Sequence, residues 1–288
     1  LDASRFDQHV SADALRWEHS VYLRCFRGEH KHLLERLLRW QIANKGRAYT
    51  ADAKIKYSVN GCRMSGDINT SLGNCLIMCA LVWAWCKSKG VKARLANNGD
   101  DCVVVMSRCD LLKFQEGLTE WFLECGFEMV VEDPVDTFEK IVFCQTQPVW
   151  TPDGWLMVRQ VDTAVSKDLV TLLNMPASYQ AYVGAIGECG LNAYGGVPVF
   201  QEFYKSLRAA GKSSKLLGET SMAFGLRFLA EGMDRGYQKV HPKTRMSFAL
   251  AFGVLPDEQV QLEEWLRCNP VPPKPKQSVT TTVPVWYK

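Results

Sequence analysis

The chain has 288 residues, of which 47% are hydrophobic and 23% are charged, and its formal net charge is +3. This balance is typical of a globular protein with one or two domains and a large core. With so small a net charge, total charge does not indicate nucleic-acid binding. The segment 201–248, however, is locally basic, with nine Lys and Arg against four Asp and Glu. That segment could contact phosphates, or it could be a solvated helix face.

Cysteine usage and the start of the chain indicate its context. The eleven cysteines are scattered and contain no Cys-x-x-Cys pair. This usage favours reduced thiols in a cytosolic compartment over disulfides. No apolar run approaches the length expected of a membrane span. The first residue is not methionine and stands inside an apparent strand, so the sequence is expected to be a fragment of a longer protein.

The first elements in chain order are a strand end and a helix. Residues 1–3 are expected to close a strand. Ser11 can cap a helix that begins near Ala12, because its hydroxyl can accept a hydrogen bond from the first turn. The spacing of apolar residues predicts the buried face of this helix. That face would consist of Ala14, Trp17, Val21 and Tyr22.

A second helix and a strand are predicted next. The helix is expected from about His30, with Asn44 and Gly46 ending it. Its apolar residues predict an inward face of Leu33, Leu34, Leu37, Leu38 and Ile42. Alternation of apolar and polar residues over 54–59 then predicts a half-buried strand.

A long helix is predicted over about 67–89, closed by Gly90. Thr70 and Asn74 lie four residues apart near its N-terminal end and therefore share one face. In the preceding loop, Gly66 has no side chain and would let the backbone approach a nucleic-acid strand closely. Without further information, Thr70 and Asn74 are more simply explained as polar surface residues.

Two adjacent aspartates mark the tip of a predicted β-hairpin. Its strands are 92–96 and 102–106, and the turn between them reads Asn-Asn-Gly-Asp-Asp. The neighbouring carboxylates of Asp100 and Asp101 repel each other unless a cation lies between them. Such hard oxygen ligands suit Mg²⁺ or Mn²⁺. Taken alone, however, the same residues would also occur in a plain solvated turn.

The remainder of the chain predicts more helix than strand. A helix over 111–125 is stopped by Gly126 and followed by short strands at 128–131, 141–143, 149–150 and 155–157. Helical patterns then recur at 166–173, 178–189, 198–210, 218–232 and 256–268. The last 20 residues hold five prolines, three lysines and no acidic residue, which predicts an extended or disordered tail.

Three motifs occur in a fixed order along this chain. Asp2 and Asp7 form Asp-x4-Asp, residues 65–74 form Ser-Gly-x3-Thr-x3-Asn, and residues 99–101 form Gly-Asp-Asp. In this order they resemble motifs A, B and C of the palm of viral RNA-dependent RNA polymerases. The surrounding sequence is similar to the replicases of plant viruses of the tombusvirus family. The resemblance extends to a stretch similar to motif E at 143–145, and more loosely through the C-terminal part.

The resemblance implies a fold and a division into domains. The expected fold is α+β, with a right-hand polymerase palm (an antiparallel sheet with packed helices) and a mainly helical thumb. Most of the fingers would be missing, so this stretch alone is expected to bind nucleotide poorly. The expected domains are a palm at 1–23 and 65–158, a partial fingers insertion at 24–64, a thumb at 159–268 and a Pro/Lys-rich tail at 269–288.

The resemblance also implies a chemistry, which is RNA-templated RNA synthesis by a two-metal mechanism. Two Mg²⁺ or Mn²⁺ ions would be held by Asp2, Ala3, Asp100 and Asp101. The helix predicted over 111–125 resembles motif D of this family. In related polymerases a lysine just after this helix is proposed as general acid. The strand after the corresponding helix has no lysine here, and Lys140 is the nearest candidate.

Further site residues follow from the same resemblance. Asp7 would meet Asn74 and the incoming ribose. The expected substrate-binding residues are Asp7, Ser65, Gly66, Thr70 and Asn74. The nascent strand would be supported by Phe143, Cys144 and Gln145. Template and product would be contacted by the basic residues Lys205, Arg208, Lys212, Lys215 and Arg227.

The expected partners are an RNA template, its product and ribonucleoside triphosphates, together with other viral replicase proteins and host factors. The expected location is the host cytoplasm, at membrane-bound replication complexes reached through a preceding part of the protein. Two alternatives remain open. A reverse transcriptase shares the palm but usually carries an aromatic residue where Asp7 stands. A noncatalytic RNA-binding or replicase-assembly module would not need Asp2, Asp100 and Asp101 intact.

Overall fold

The computed structural model of the chain describes residues 1–170, 179–212 and 224–272. These residues form α-helices and antiparallel β-sheets, which agrees with the predicted mixture of elements in an α+β class. The chain divides into two compact units, and the division falls between Pro134 and Val135. The predicted boundary between palm and thumb at 158/159 is a functional division and stays a prediction.

The first unit combines short strands with helices. One antiparallel sheet has the strand order β4-β5-β1-β6, and β2 pairs with β3 in a separate hairpin. The predicted N-terminal strand and the predicted aspartate hairpin are therefore neighbours in one sheet. The elements in chain order are β1 (Asp2–Ala3), α1 (Phe6–His9), α2 (Ala12–Cys25), α3 (Gly28–Arg39), β2 (Ala43–Tyr49), β3 (Lys54–Asn60), α4 (Thr70–Lys89), β4 (Ala93–Asn98), β5 (Asp101–Met106), α5 (Leu111–Gln115), α6 (Leu118–Glu124) and β6 (Met129–Val130).

A single apolar core holds these helices against the sheet. Phe6 of α1 is 2% exposed and stacks on Phe127, with 4.7 Å between the ring centroids. Burial of a side chain of this size stabilises the fold by roughly 1.5–3 kcal/mol. The helix α4 contributes buried residues from several turns, and the core thereby fixes both α1 and α4. Other members of this core are Leu15, Met78, Val82, Leu118 and Phe122.

The helix α4 corrects the expectation that no apolar run has membrane-spanning length. Among the described residues it is the one helix whose length and composition would allow it to cross a bilayer, with a mean hydropathy of 1.2. In the 18-residue apolar stretch of this helix that would cross the bilayer, 39% is buried inside the protein. Core helices of proteins without a membrane span satisfy the same criteria, so this property is weak evidence for a span.

The predicted start of α2 is confirmed, but its predicted buried face is only partly correct, since Ala14 packs against the core whereas Trp17 is exposed. Ser11 caps the helix, and its Oγ accepts a hydrogen bond of 3.1 Å from the backbone nitrogen of Ala14. Trp17 is 44% exposed, whereas Leu15 and Glu18 are buried. Apolar spacing failed here because a charged residue, Glu18, occupies the inner face of the helix.

The helix α3 ends earlier than predicted. Asn44 and Gly46 lie in β2 rather than at a helix terminus. Gly46 stands opposite Tyr57 in the β2–β3 hairpin, and a Cβ on Gly46 would lie 1.9 Å from the Tyr57 ring. The glycine therefore makes room for a cross-strand aromatic ring. β3 exists as predicted but is not half-buried, since Ile55 and Tyr57 are 54% and 46% exposed.

The second unit is mainly helical. The predicted strand at 141–143 is not formed. Of the predicted helix 166–173, residues 166 and 167 end a helix that begins at Val161, and residues 168–170 are not helical. The helix α11 was not predicted. The described parts of this unit contain β7 (Thr146–Thr151), β8 (Gly154–Arg159), α7 (Val161–Lys167), α8 (Tyr179–Tyr194), α9 (Phe200–Ala210), α10 (Phe224–Leu229), α11 (Pro242–Phe252) and α12 (Pro256–Cys268). The predictions for 171–173, 178, 218–223 and the tail from 273 onward fall outside the described residues.

The helices α8 and α9 form the centre of the second unit. Tyr204 and Leu207 of α9 are fully buried, as is Phe248 of α11. Glycines on α8 let α9 approach closely, because a Cβ on Gly187 would lie 2.2 Å from the backbone nitrogen of Arg208. The close approach buries most of α9, while the side chains of Lys205 and Arg208 remain exposed.

Candidate active site

The aspartate hairpin has a two-residue turn. Asn98 stands opposite Asp101, so the turn consists of Gly99 and Asp100. Gly99 has a φ of +91°, a conformation that favours glycine, and its N–H donates to the Asn97 Oδ1 over 2.7 Å. The Asn97 side chain also donates to the carbonyl of Cys75 in α4 over 2.9 Å. These bonds fix the turn against α4 and leave Asp100 exposed.

The strand β1 brings a further aspartate to the hairpin. Leu1 and Cys102 exchange two backbone hydrogen bonds of 2.9 Å, and the Ala3 N–H donates to the Asp100 carbonyl over 3.2 Å. Asp2 and Asp101, directly opposite each other, therefore form the non-hydrogen-bonded pair between these two bonded positions. In such a pair the Cα atoms are about 4.5 Å apart and the side chains project from the same face.

This arrangement suits a divalent cation. Like charges directly opposite each other destabilise a sheet, so a cation beside Asp2 and Asp101 would stabilise the observed register. Within the described ranges, no three His, Cys, Asp or Glu side chains already converge as a closed metal cage. Mg²⁺ does not require one, because it usually keeps several waters and binds one or two carboxylates together with substrate phosphates. The donor chemistry of Asp2, Asp100 and Asp101 therefore fits Mg²⁺ or Mn²⁺.

Asp7 and Asn74 lie side by side. Asp7 is in α1 and Asn74 is in the second turn of α4. The expected hydrogen bond between them is present, with Asn74 Nδ2 donating to Asp7 Oδ1 over 2.7 Å. Ser65, expected to contact substrate or template, donates its hydroxyl to the other oxygen, Asp7 Oδ2. Both oxygens of Asp7 therefore have donors from the segment 65–74.

A buried ion pair behind Asn74 was missed by sequence reasoning. Arg63 Nε donates to Asn74 Oδ1 over 2.9 Å, and the guanidinium pairs with Glu18. Both side chains of this pair are 0% exposed. Two sequence signals could have pointed to the pair. Arg63 stands two residues before the Ser-Gly of the second motif, and Glu18 interrupts an apolar helix face.

Gly73 leaves the space that this ion pair occupies. A Cβ on Gly73 would lie 2.3 Å from Glu18 Oε1 and 2.4 Å from Arg63 Nη2. On the other side, a Cβ on Gly99 would lie 3.3 Å from the Cβ of Asn74. Asn74 is therefore enclosed between the ion pair and the turn that carries Asp100.

Two further predicted residues have different surroundings. The Thr70 hydroxyl donates to the carbonyls of Met64 and Asp67 over 3.1 and 2.8 Å, which closes the loop before α4. Gly66 is exposed, and apart from its two chain neighbours no described residue has an atom within 4 Å of where its Cβ would be. Packing against the described residues does not require glycine at this position, so the predicted close approach of a substrate strand stays a prediction.

The predicted strand-supporting residues form a tight turn in the second unit. Phe143 and Thr146 exchange backbone hydrogen bonds of 2.9 and 3.0 Å. Between them, Cys144 and Gln145 both have positive φ values, 51° and 58°, and non-glycine residues adopt such values rarely. Lys167 donates to the Gln145 side chain over 3.0 Å, which stabilises the strained turn.

The predicted basic residues are exposed where the structure describes them. These are Lys205, Arg208, Lys212 and Arg227, whereas Lys215 lies outside the described residues. The Lys205 ammonium lies 4.2 Å from the centroid of the Tyr237 ring, a cation–π contact. Lys140, the candidate general acid, is exposed in a short 3₁₀ turn of the second unit.

Taken together, a hairpin tipped by aspartates, a third aspartate on the adjacent strand and a nearby Asp–Asn pair define a candidate nucleotidyltransferase site. Residues 1–268 match the family described as viral RNA dependent RNA polymerase. The chain belongs to this family, which confirms the resemblance found in the sequence and leaves no support for a reverse transcriptase.

Named relatives agree with the family. The chain is 46% identical over 267 residues to the RNA-directed RNA polymerase of Tobacco necrosis virus (strain A), covering 91% of this chain and 36% of the relative. It is 44% identical over 270 residues to the RNA-directed RNA polymerase of Maize chlorotic mottle virus, covering 93% of this chain and 28% of the relative. The chain is 43% identical over 272 residues to the RNA-directed RNA polymerase of Turnip crinkle virus, covering 92% of this chain and 34% of the relative. The chain thus spans about a third of the length of these relatives.

Proposed function

We propose that this chain supplies the palm and the helical thumb of a polymerase that copies RNA from an RNA template. The observation that carries this proposal is the register of the first sheet, where Asp2 stands opposite Asp101 and beside the Asp100 turn. Family membership supports the same reaction, since the relatives above are named RNA-directed RNA polymerases. Phosphoryl transfer requires positioning and charge neutralisation, and carboxylates at one sheet end are suited to both through bound cations.

The aspartates would hold two divalent ions, with Asp2 and Asp100 as shared ligands, Asp101 assisting and Ala3 contributing from the backbone. Bound there, Mg²⁺ or Mn²⁺ would neutralise charge on the transferring phosphate and lower the pKa of the attacking 3′-hydroxyl. The protein contributes the fixed register of β1 and β5, which holds the carboxylates in place before substrate arrives. Lys140 remains the proposed general acid.

Asp7 and Asn74 would select the ribose. Asp7 accepts hydrogen bonds from Ser65 and Asn74, and the Asn74 amide keeps a second N–H for another acceptor. A site that hydrogen-bonds a 2′-hydroxyl disfavours a deoxynucleotide, because its own polar groups are then left unpaired. Gly66 and Thr70 would lie along the same substrate path.

The remaining proposed contacts concern RNA and the cellular setting. The turn of Phe143, Cys144 and Gln145 would support the nascent strand. The basic residues Lys205, Arg208, Lys212, Lys215 and Arg227 would contact phosphates of template and product. We also propose that other replicase proteins and host factors are partners, and that the protein acts in the host cytoplasm at membrane-bound replication complexes.

Template copying tests the proposed function. A full-length polymerase carrying this chain is given a poly(U) template with an oligo(A) primer, and each labelled ribonucleotide is supplied separately with Mg²⁺. Incorporation of ATP alone is expected, and a switch to GTP is expected on poly(C) with a matching primer. Incorporation that ignores the template would contradict the proposal. Intact RNA binding without any incorporation would instead support a noncatalytic RNA-binding module.

A further inference from the structure

The Asn74 amide is held from both sides by groups of opposite hydrogen-bonding character. On one side, Arg63 Nε donates to Asn74 Oδ1 over 2.9 Å. On the other, Asn74 Nδ2 donates to Asp7 Oδ1 over 2.7 Å. Arginine is always a donor, and an ionised carboxylate is only an acceptor. This combination fixes which end of the amide faces which neighbour, whereas one hydrogen bond alone would leave the broad terminal torsion of asparagine free to turn.

The ion pair holds Arg63 itself in place. Its guanidinium contacts both oxygens of Glu18, with Nη1 3.3 Å from Oε1 and Nη2 bonded to Oε2. The backbone N–H of Arg63 also donates to the Asp7 carbonyl over 2.8 Å. The planar fork of the guanidinium therefore spans Glu18 and Asn74 at once. A lysine ammonium, a single point charge, cannot reproduce this arrangement.

Glu18 is in turn fixed by neutral donors. The Tyr22 hydroxyl donates to Glu18 Oε1 over 2.7 Å, and Asn69 Nδ2 donates to the same oxygen over 2.9 Å. Burial, together with the bond to Glu18, raises the pKa of Tyr22 above its usual value, so its hydroxyl stays a donor. A network of polar side chains thus runs from α2, through Glu18 and Arg63, to Asn74.

Stability alone does not account for such a pair. Buried ion pairs often contribute no more to stability than apolar side chains of similar volume, because both charges lose their hydration. Here the pair is fully buried, and a glycine at position 73 leaves it room. What an apolar pair could not provide is a rigid donor aimed at Asn74 Oδ1.

We propose that Glu18 and Arg63 are positioning residues for sugar selection, which act by fixing the polarity and direction of the Asn74 amide. The inference rests on the proposed polymerase function and adds the element that sets its discrimination between ribose and deoxyribose. Both side chains are fully buried, so the proposal gives neither of them a contact with substrate. Their effect reaches the 2′-hydroxyl through Asn74 alone, while Asp2, Asp100 and Asp101 continue to support nucleotidyl transfer.

The test is the ratio of kcat/KM for ATP over dATP in the full-length polymerase with Mg²⁺. Arg63→Lys keeps the charge but loses the bond to Asn74, so the ratio should fall by roughly threefold to tenfold, as expected for one weakened hydrogen bond. The matched control is Arg159→Lys. Arg159 is also largely buried and pairs with the buried Asp168 over 2.5 Å, but it lies in the second unit. The control should leave the ratio unchanged.

Two outcomes would overturn the inference, namely an unchanged ratio in Arg63→Lys or an equal fall in both variants. If Arg63→Lys does not fold, the ATP over dATP ratio is measured in Glu18→Gln instead. This substitution keeps the side-chain volume but places an amide NH₂ group against the Arg63 guanidinium. A soluble Glu18→Gln enzyme with the original ratio would equally overturn the inference. Failure of the proposed function is distinct from these results, since the unmodified enzyme would then copy no template.

Discussion

Replacing Asp100 with asparagine in the full-length polymerase is expected to lower RNA synthesis by about a thousandfold while RNA binding survives. Asp100 stands in the two-residue turn between β4 and β5, exposed and next to the Asp2–Asp101 pair. An amide in place of the carboxylate removes a negative ligand from the proposed metal site. The loss of several kcal/mol of transition-state stabilisation corresponds to a rate effect of this order.

The matched control for this variant is Asp52→Asn. Asp52 is an exposed aspartate between β2 and β3, so its replacement removes the same charge from a different turn. Template-directed incorporation and filter binding of labelled RNA are measured for both variants. Near-normal synthesis by Asp100→Asn would rule out Asp100 as a metal ligand, and equal losses in both variants would indicate a general effect of charge.

The second large effect is expected at Asn74. Asn74→Asp should lower the ratio of kcat/KM for a ribonucleotide over its deoxy counterpart by roughly tenfold, matching one lost hydrogen bond of about 1.5 kcal/mol. The aspartate can still accept from Arg63, but it cannot donate to Asp7 or to the ribose. It also places two carboxylates against each other, at the position where Asn74 Nδ2 now lies 2.7 Å from Asp7 Oδ1.

The control for this variant is Asn60→Asp, which introduces the same negative charge at an exposed position of β3. Its nucleotide ratio should not change. The measurement uses the full-length enzyme with Mg²⁺ as the only metal ion. If Asn74→Asp reduces activity for both sugars equally, Asn74 is structural and sugar selection lies elsewhere.

The parts of the site that could be predicted from the sequence are those with local signals. Glycine and aspartate turn chemistry between two apolar runs predicts the β4–β5 hairpin without information from elsewhere in the chain. Gly90, with a φ of +62°, closes α4 where predicted because its left-handed conformation suits a helix end. The pairing of β1 with β5 could not be predicted from local pattern, and the expectation that Asp2 lies beside the hairpin came from the family resemblance.

The parts that could not be predicted depend on partners distant in sequence. Apolar spacing assumes that buried helix positions are apolar, so it gave no indication that Glu18 of α2 is buried. Its burial is explained by Arg63, 45 residues later in the chain. Gly46 was similarly interpreted as a helix end, although its neighbour across the hairpin, Tyr57, is what requires a glycine there.

The location of bound Mn²⁺ would show whether Asp2 and Asp100 share a two-metal site. Crystals of the full-length polymerase with RNA template, primer and nucleotide are grown with Mn²⁺, and anomalous scattering locates the ions. Two ions are expected about 3.5–4 Å apart, with oxygens of Asp2 and Asp100 as ligands at about 2–2.5 Å. Ions bound elsewhere, or carboxylates of Asp2 and Asp100 that remain more than about 10 Å apart in this complex, would contradict a shared two-metal site.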